Sequence, residues 1–194
     1  MACPPRQLLL LLAVPGLLLL AASEARATVL VEVPLDDMIF DADAIVMGEV
    51  VHVGVQMVVR DDGSLEPWTA TTLRVRRWLK NGTGSTVTLY ERGGEWQGGG
   101  MRIDGTPEYH RGEHVLVFLR RDPLGRLRTY GMVQGRFVIR AGAPGVPTTV
   151  ERDVHAVGFA QWTSAGMTVT HLPSTVMQLD AMLARIEYVL EVAP

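Results

Sequence analysis

Five consecutive residues carry the one grouping whose types and spacing match a known chemical arrangement. They are His110-Arg111-Gly112-Glu113-His114, an H-x-x-E-H pattern. In zinc hydrolases of that pattern the two imidazoles hold the metal and the carboxylate works as general base. The pattern functions on a helix, where positions i and i+4 share a face and reach one ion. Here Pro107 precedes it, Gly112 interrupts it, and the apolar run Val115–Leu119 follows at once. In an extended chain, at roughly 3.3 Å per residue, the two α-carbons would stand about 13 Å apart, too far for one zinc. The residues therefore read as a polar turn that leads into a buried strand. The competing expectation is a small zinc-dependent hydrolase using His110, Glu113 and His114, with a third ligand to be sought as far downstream as Glu191. The remaining histidines, His52, His155 and His171, are isolated. Ser64, Ser85, Ser164 and Ser174 lack the G-x-S-x-G turn of a serine nucleophile. The only cysteine is Cys3, so thiol catalysis is excluded once the N-terminal segment is gone. No cofactor is expected.

Binding is the better-supported expectation. Gly93-Gly94 and Gly98-Gly99-Gly100 flank Trp96. They lack the Lys-Ser/Thr ending of a phosphate loop and read as a flexible hairpin loop of Gly93–Gly105, the kind of segment that carries contacts on a rigid scaffold. Trp96, Arg92, Arg102 and Tyr109 are the candidate contact residues, with Trp96 alternatively capping the end of a barrel. From Thr72 to Arg140 there are 13 basic and 6 acidic residues, whereas both flanks are acidic. That excess suits an anionic envelope polysaccharide or surface. Nucleic acid is not expected, because the chain looks exported and only 6% of it is aromatic. Asn81-Gly82-Thr83 fits the N-glycosylation pattern, but Asn-Gly is also a hairpin signal.

The elements that must position these residues follow from the ends inward. Arg6, the apolar run Leu8–Ala22 and the exit Ala25-Arg26-Ala27 form the three parts of a secretory signal. The run is shorter than the roughly 20 residues a membrane span needs and is broken by Pro15-Gly16. A mature chain from Thr28 is expected, secreted or periplasmic, with no transmembrane anchor. Without Arg6, Glu24 and Arg26 it has 16 basic and 20 acidic residues and a net charge of −4. Its 167 residues fit one domain, and the lack of cysteine in an exported chain points to a bacterial source.

Within that domain, Pro34–Phe40 reads as a short helix. Ala44–Val59 reads as one long strand bent at Gly48 and Gly54, and Thr69–Leu79 as a second, with Leu73 and Val75 inward and Arg74 and Arg76 outward. Asn81-Gly82 turns into a third strand with Val87 and Leu89 inward. Val115–Leu119 should be buried on both faces, and Leu127–Ile139 completes a fifth strand. Five strands with Gly-rich turns predict a mainly β, OB-like barrel over about residues 42–140. An extension, 141–194, would carry short strands near Thr148–Val150 and Ala156–Gln161. It would end in an amphipathic helix, Ser174–Glu191, whose apolar stripe (Val176, Leu179, Leu183, Ile186, Leu190) must dock to persist.

Ala42-Asp43-Ala44-Ile45-Val46-Met47-Gly48-Glu49-Val50, Leu79-Lys80-Asn81-Gly82, the Gly-Gly loop, Gly105-Thr106-Pro107-Glu108-Tyr109 and Gly112-Glu113-His114-Val115-Leu116-Val117-Phe118-Leu119 together carry a resemblance. The chain resembles a group of uncharacterised exported bacterial proteins that look like OB-fold barrels of the netrin-module and metalloprotease-inhibitor type. The resemblance covers about Asp36 to Ile139 and a trailing helix. It implies an exported, non-catalytic binding or accessory barrel, partnering a secreted protease or an envelope component. Inhibitors of that type chelate their target's zinc through an N-terminal cysteine. A mature chain starting at Thr28 has none, so that route is not expected here.

Overall fold

A computed structural model describes residues 28–192; the expected leader and cleavage site lie outside the described residues. The fold is mainly β with two α-helices. Continuous β-branched and apolar stretches form the long strands β2 (Ala44–Val59) and β3 (Leu65–Lys80), which pair antiparallel along their whole length. Their register shifts near Met47/Gly48 and Val50/His52, and such bulges bend and twist a strand. A side chain at Gly48 would meet the Arg74 carbonyl 2.7 Å away, so the close backbone approach there requires glycine. β4 (Thr86–Arg92) pairs with β3, and β7 (His114–Arg121) with the other edge of β2. Val115 to Leu119 are fully buried, as their unbroken apolar run requires.

The expected fifth strand is two strands. β8 (Leu127–Thr129) pairs with one end of β7 and β9 (Arg136–Arg140) with the other, separated by a 3-10 turn, Met132–Gly135. The glycines decide this: Gly131 has φ +67, and a side chain at Gly135 would sit 2.1 Å from the Tyr130 carbonyl oxygen. β10 (Thr149–Arg152) extends the sheet beyond β9, and β13 (Thr175–Gln178) lies beyond β10. Thr175–Gln178 thus departs from the expected helix. The β-branched pair Thr175-Val176 completes an edge strand, leaving Val176 exposed rather than in the core. The helix α2 starts only at Leu179 and runs to Val192.

The main sheet has eight strands, in the order β13-β10-β9-β7-β2-β3-β4 with β8 attached to β7. Its hydrogen-bonded path is open, which differs from a closed five-stranded barrel. One face is covered by α2 and by α1 (Leu35–Asp41), the latter opened by Pro34 with Asp36 and Asp37 in its first turn. Met182, Ile186 and Val189 from α2 and Met38 and Ile39 from α1 meet Ile45, Leu116, Phe118 and Phe137 from the sheet. The C-terminal helix therefore docks on its own chain. Arg185 binds Asp36 between the two helices, and Lys80 donates to the Ile39 carbonyl at 3.1 Å. The opposite face curls over a second cluster of Val46, Val50, Leu73, Leu89, Tyr109, Val115, Val117 and Leu119. Two smaller sheets complete the fold: the hairpin β5–β6 (Gly94–Trp96 and Gly99–Met101), and a three-stranded sheet of β1 (Val29–Val31), β11 (Gly158–Thr163) and β12 (Gly166–Thr170). No helix among the described residues is long and apolar enough to cross a membrane.

Candidate functional site

The H-x-x-E-H residues form a tight turn and the start of a strand. The Glu113 N–H donates to the His110 carbonyl at 3.0 Å, with Gly112 between them at φ +89. The Gly112 N–H donates to the Val50 carbonyl and the Val50 N–H to the Glu113 carbonyl, both at 2.8 Å, which ties the turn to β2. His114 opens β7 opposite Glu49. The Glu113 carboxylate accepts the His110 backbone N–H at 2.9 Å and an Arg136 N–H at 2.6 Å, and faces His110 Nδ1 at 3.3 Å. Burial alone would raise its pKa, but these donors outweigh it and hold the carboxyl below the usual glutamate range. A carboxylate so occupied is the brace of a turn, not a free base. The helical frame that would converge both imidazoles is not formed, and among the described residues no group of three or more His, Cys, Asp or Glu is arranged to hold a metal ion.

Tyr109 does not reach the surface. It is buried on the curled face, its hydroxyl 2.7 Å from Thr129 Oγ1, and burial together with the nearby Glu91 pushes its pKa up. The same Thr129 supplies the most unusual contact in the molecule. Its backbone N–H donates to the carboxylate of Glu91, 2.7 Å away on β4. Glu91 is 2% exposed, and Arg128 reaches it at 3.4 Å. Burial raises the Glu91 pKa against the lowering effect of these partners. This one side chain thus bridges β4 and β8, the two strands where the curled sheet fails to join by a backbone ladder. Its position was foreseeable: Val87 and Leu89 point inward, and the period of two continues to Glu91.

Beside that seam lies a second buried carboxylate. Glu66 accepts the Trp68 indole N–H at 3.0 Å and is held by Arg92. The Arg92 hydrogen bond is the main reason its pKa falls below the usual glutamate value, and Glu66 in turn raises that of Arg92. The guanidinium of Arg126 stacks 3.8 Å from the Trp68 ring centre while its Nε holds Asp122 at 2.8 Å. Arg92 is therefore part of the architecture, with its outer edge half exposed.

Trp96 is exposed, at 42%. The Gly-rich segment around it is an ordered hairpin. Gln97 (φ +49) and Gly98 (φ +80) make its two-residue turn, the geometry favoured between twisted antiparallel strands. Gly94 lets the hairpin lie flat on the long arm of β2 and β3, since a side chain there would meet Val55 Cγ2 at 2.7 Å and Thr69 Oγ1 at 2.8 Å. Arg102, just beyond β6, is 84% exposed, with Asp104 and Glu108 each within 3.8 Å. Arg92 and Arg102 thus flank the base of this hairpin and Trp96 lies beside its turn, whereas Tyr109, His110 and His114 lie outside it.

About half of the basic excess is paired with carboxylates. Arg74, Arg92, Arg102, Arg126, Arg128, Arg136 and Arg140 each have a carboxylate within 4.0 Å. Arg76 and Arg77 on β3, Arg111 in the turn, and Arg120 and Arg121 at the end of β7 are exposed as well. No family model matches the chain, no curated protein matches it, and no solved structure matches it.

Proposed function

We propose that this chain is an exported, non-catalytic binding module that recognises a secreted protein partner through the end carrying Trp96. We read β2, β3, β4, β7 and β8 as an OB-like barrel whose last seam, β4 to β8, is closed by the Glu91 carboxylate where a strand ladder would otherwise stand. The observation that carries the binding reading is the exposed Trp96 on a hairpin pinned to the β2–β3 arm. A large, rigid aromatic surface loses little conformational freedom on contact and is the side chain most favoured at interface centres. A protein partner suits the surface better than an anionic polysaccharide, because seven of the arginines already face carboxylates. The engaged Glu113 supports a non-catalytic role. The leader motif supports release to the periplasm or beyond, with the mature chain starting at Thr28.

The test is co-purification from native medium or periplasm using tag-free protein, in parallel with Trp96→Ser and Arg102→Glu. A partner retained by the native chain and lost by Trp96→Ser supports the reading. Stoichiometric zinc in the purified protein, removed by His110→Ala, would overturn it in favour of the hydrolase.

A further inference from the structure

The three-stranded sheet β1-β11-β12 has one face in the core and one face in solvent. Leu30 and Phe159 point inward to Val154, Val157, Val133 and Leu172. On a half-covered sheet the outer face is expected to be polar. Here it is apolar. The register pairs Val31 with Ala160, Ala160 with Val169, and Trp162 with Met167, so these side chains share the outer face. A side chain at Gly158 would meet Val169 Cγ1 at 2.6 Å and Val29 Cγ2 at 3.9 Å, which sets Val29 on that face as well. Trp162 is 67% exposed, Val31 60% and Met167 58%.

The second observation is one of charge. The 15 residues Ala156 to Thr170 contain no Asp, Glu, Lys or Arg, in a chain in which 20% of residues are charged. The polar side chains of the hairpin are Gln161, Thr163, Ser164, Thr168 and Thr170. An aqueous surface ordinarily mixes charges at about a quarter to a third of its positions. An exposed hairpin with an apolar face, hydroxyl and amide groups, and an indole near its tip has no ion to desolvate on entering a headgroup layer, the level at which Trp is enriched.

Size selects among occupants. Strands of three, six and five residues, at about 3.3 Å per residue and about 4.8 Å apart, present a face of about 220 Å². Two copies would bury about 450 Å² together, below the roughly 1,000 Å² of a specific dimer. A bilayer interface needs no matched partner area. We infer that the β1-β11-β12 face is a membrane-contact surface, inserting the Trp162/Met167 end of its hairpin into the headgroup region of a zwitterionic bilayer.

The test is flotation of the Thr28–Pro194 chain with phosphatidylcholine vesicles, with a parallel series containing phosphatidylglycerol. Native protein should float with phosphatidylcholine alone. Trp162→Ser should weaken partition at least about tenfold, from the transfer value of one large apolar side chain, and Val169→Ser should weaken it less. Trp96→Ser, at the other exposed tryptophan, should float like the native chain. All these side chains are exposed, and an unchanged thermal transition for each variant establishes that it is folded. Three results would overturn the inference: no flotation at millimolar lipid, flotation indifferent to Trp162→Ser, or flotation that requires anionic lipid. A concentration-dependent dimer abolished by Trp162→Ser, without vesicle binding, would assign the face to a second copy and equally overturn it.

Discussion

The two faces of the main sheet solve one problem in different ways. On the helix side, α1 and α2 lay Met38, Ile39, Met182 and Ile186 over Phe118 and Phe137, with the two Phe rings edge to face at 5.8 Å. The core on that side is apolar, with polar ties such as Arg185 to Asp36 only at its rim. On the curled side no helix covers the core. The sheet must fold over itself, and where its edges meet, backbone groups have to be satisfied without a ladder. Glu91, Thr129 and Tyr109 do this with a buried polar cluster. An apolar seal is tolerant of chemistry and sensitive to volume, whereas a polar latch tolerates little change in either. The largest predicted effect comes from the first: Phe118→Ala, emptying a fully buried site, should cost about 3–5 kcal/mol in urea unfolding. A loss under about 1 kcal/mol would mean that the helices do not hold this face as described.

The latch should respond in steps. Glu91→Ala leaves the buried Thr129 N–H without an acceptor and should cost about 1–3 kcal/mol. Glu91→Gln keeps an acceptor and should cost less. Equal losses for the two would show that the hydrogen bond does not matter.

The two buried carboxylates should also have opposite pH signatures. Glu91 has a folded pKa raised by burial, so folding favours its protonated form. Its contribution is most favourable below the usual glutamate pKa and is lost as pH rises from there through the raised value. Glu66 is lowered, chiefly by Arg92. Its contribution is present above the usual glutamate pKa and is lost as pH falls through its depressed value. In urea midpoints measured from acid to neutral pH, Glu91→Gln should gain on the native chain as pH rises, and Glu66→Gln should fall behind it. The same sign of change for both would remove the distinction between latch and ion pair.

What was legible in the residues follows the same division. Strict patterns determined β2 from Ala44 to Val59, the two-sided burial of Val115–Leu119 and the docking stripe of α2. In each, burial of apolar side chains at a fixed period leaves few alternatives. Local chemistry that competes with a longer element was not legible. Gly131 and Gly135 split one expected strand into β8 and β9, and strand pairing with β10 took Thr175–Gln178 away from the helix. Of the candidate site, Trp96 and Arg102 lie exposed where contact is feasible. Tyr109 is buried, and nothing adjacent in sequence reveals its Thr129 partner 20 residues later. Glu91 was missed even though the alternation of Val87 and Leu89 pointed to it, because a carboxylate at an inward position reads as a break in the pattern until its partner strand is known.

The smallest expected effect separates surface from architecture at the Gly-rich hairpin. Trp96→Ser removes an exposed ring and should change stability by less than about 0.5 kcal/mol. Gly94→Ala puts a methyl group into Val55 and Thr69 at a φ of +144, and should cost more than Trp96→Ser. If Trp96 is a contact residue, the first variant loses the partner with its unfolding transition unchanged. If instead Trp96→Ser proves as destabilising as Gly94→Ala, the indole is holding the hairpin to the β2–β3 arm. Its exposed edge would then be a by-product of packing, and the hairpin would lose its claim to be the binding surface.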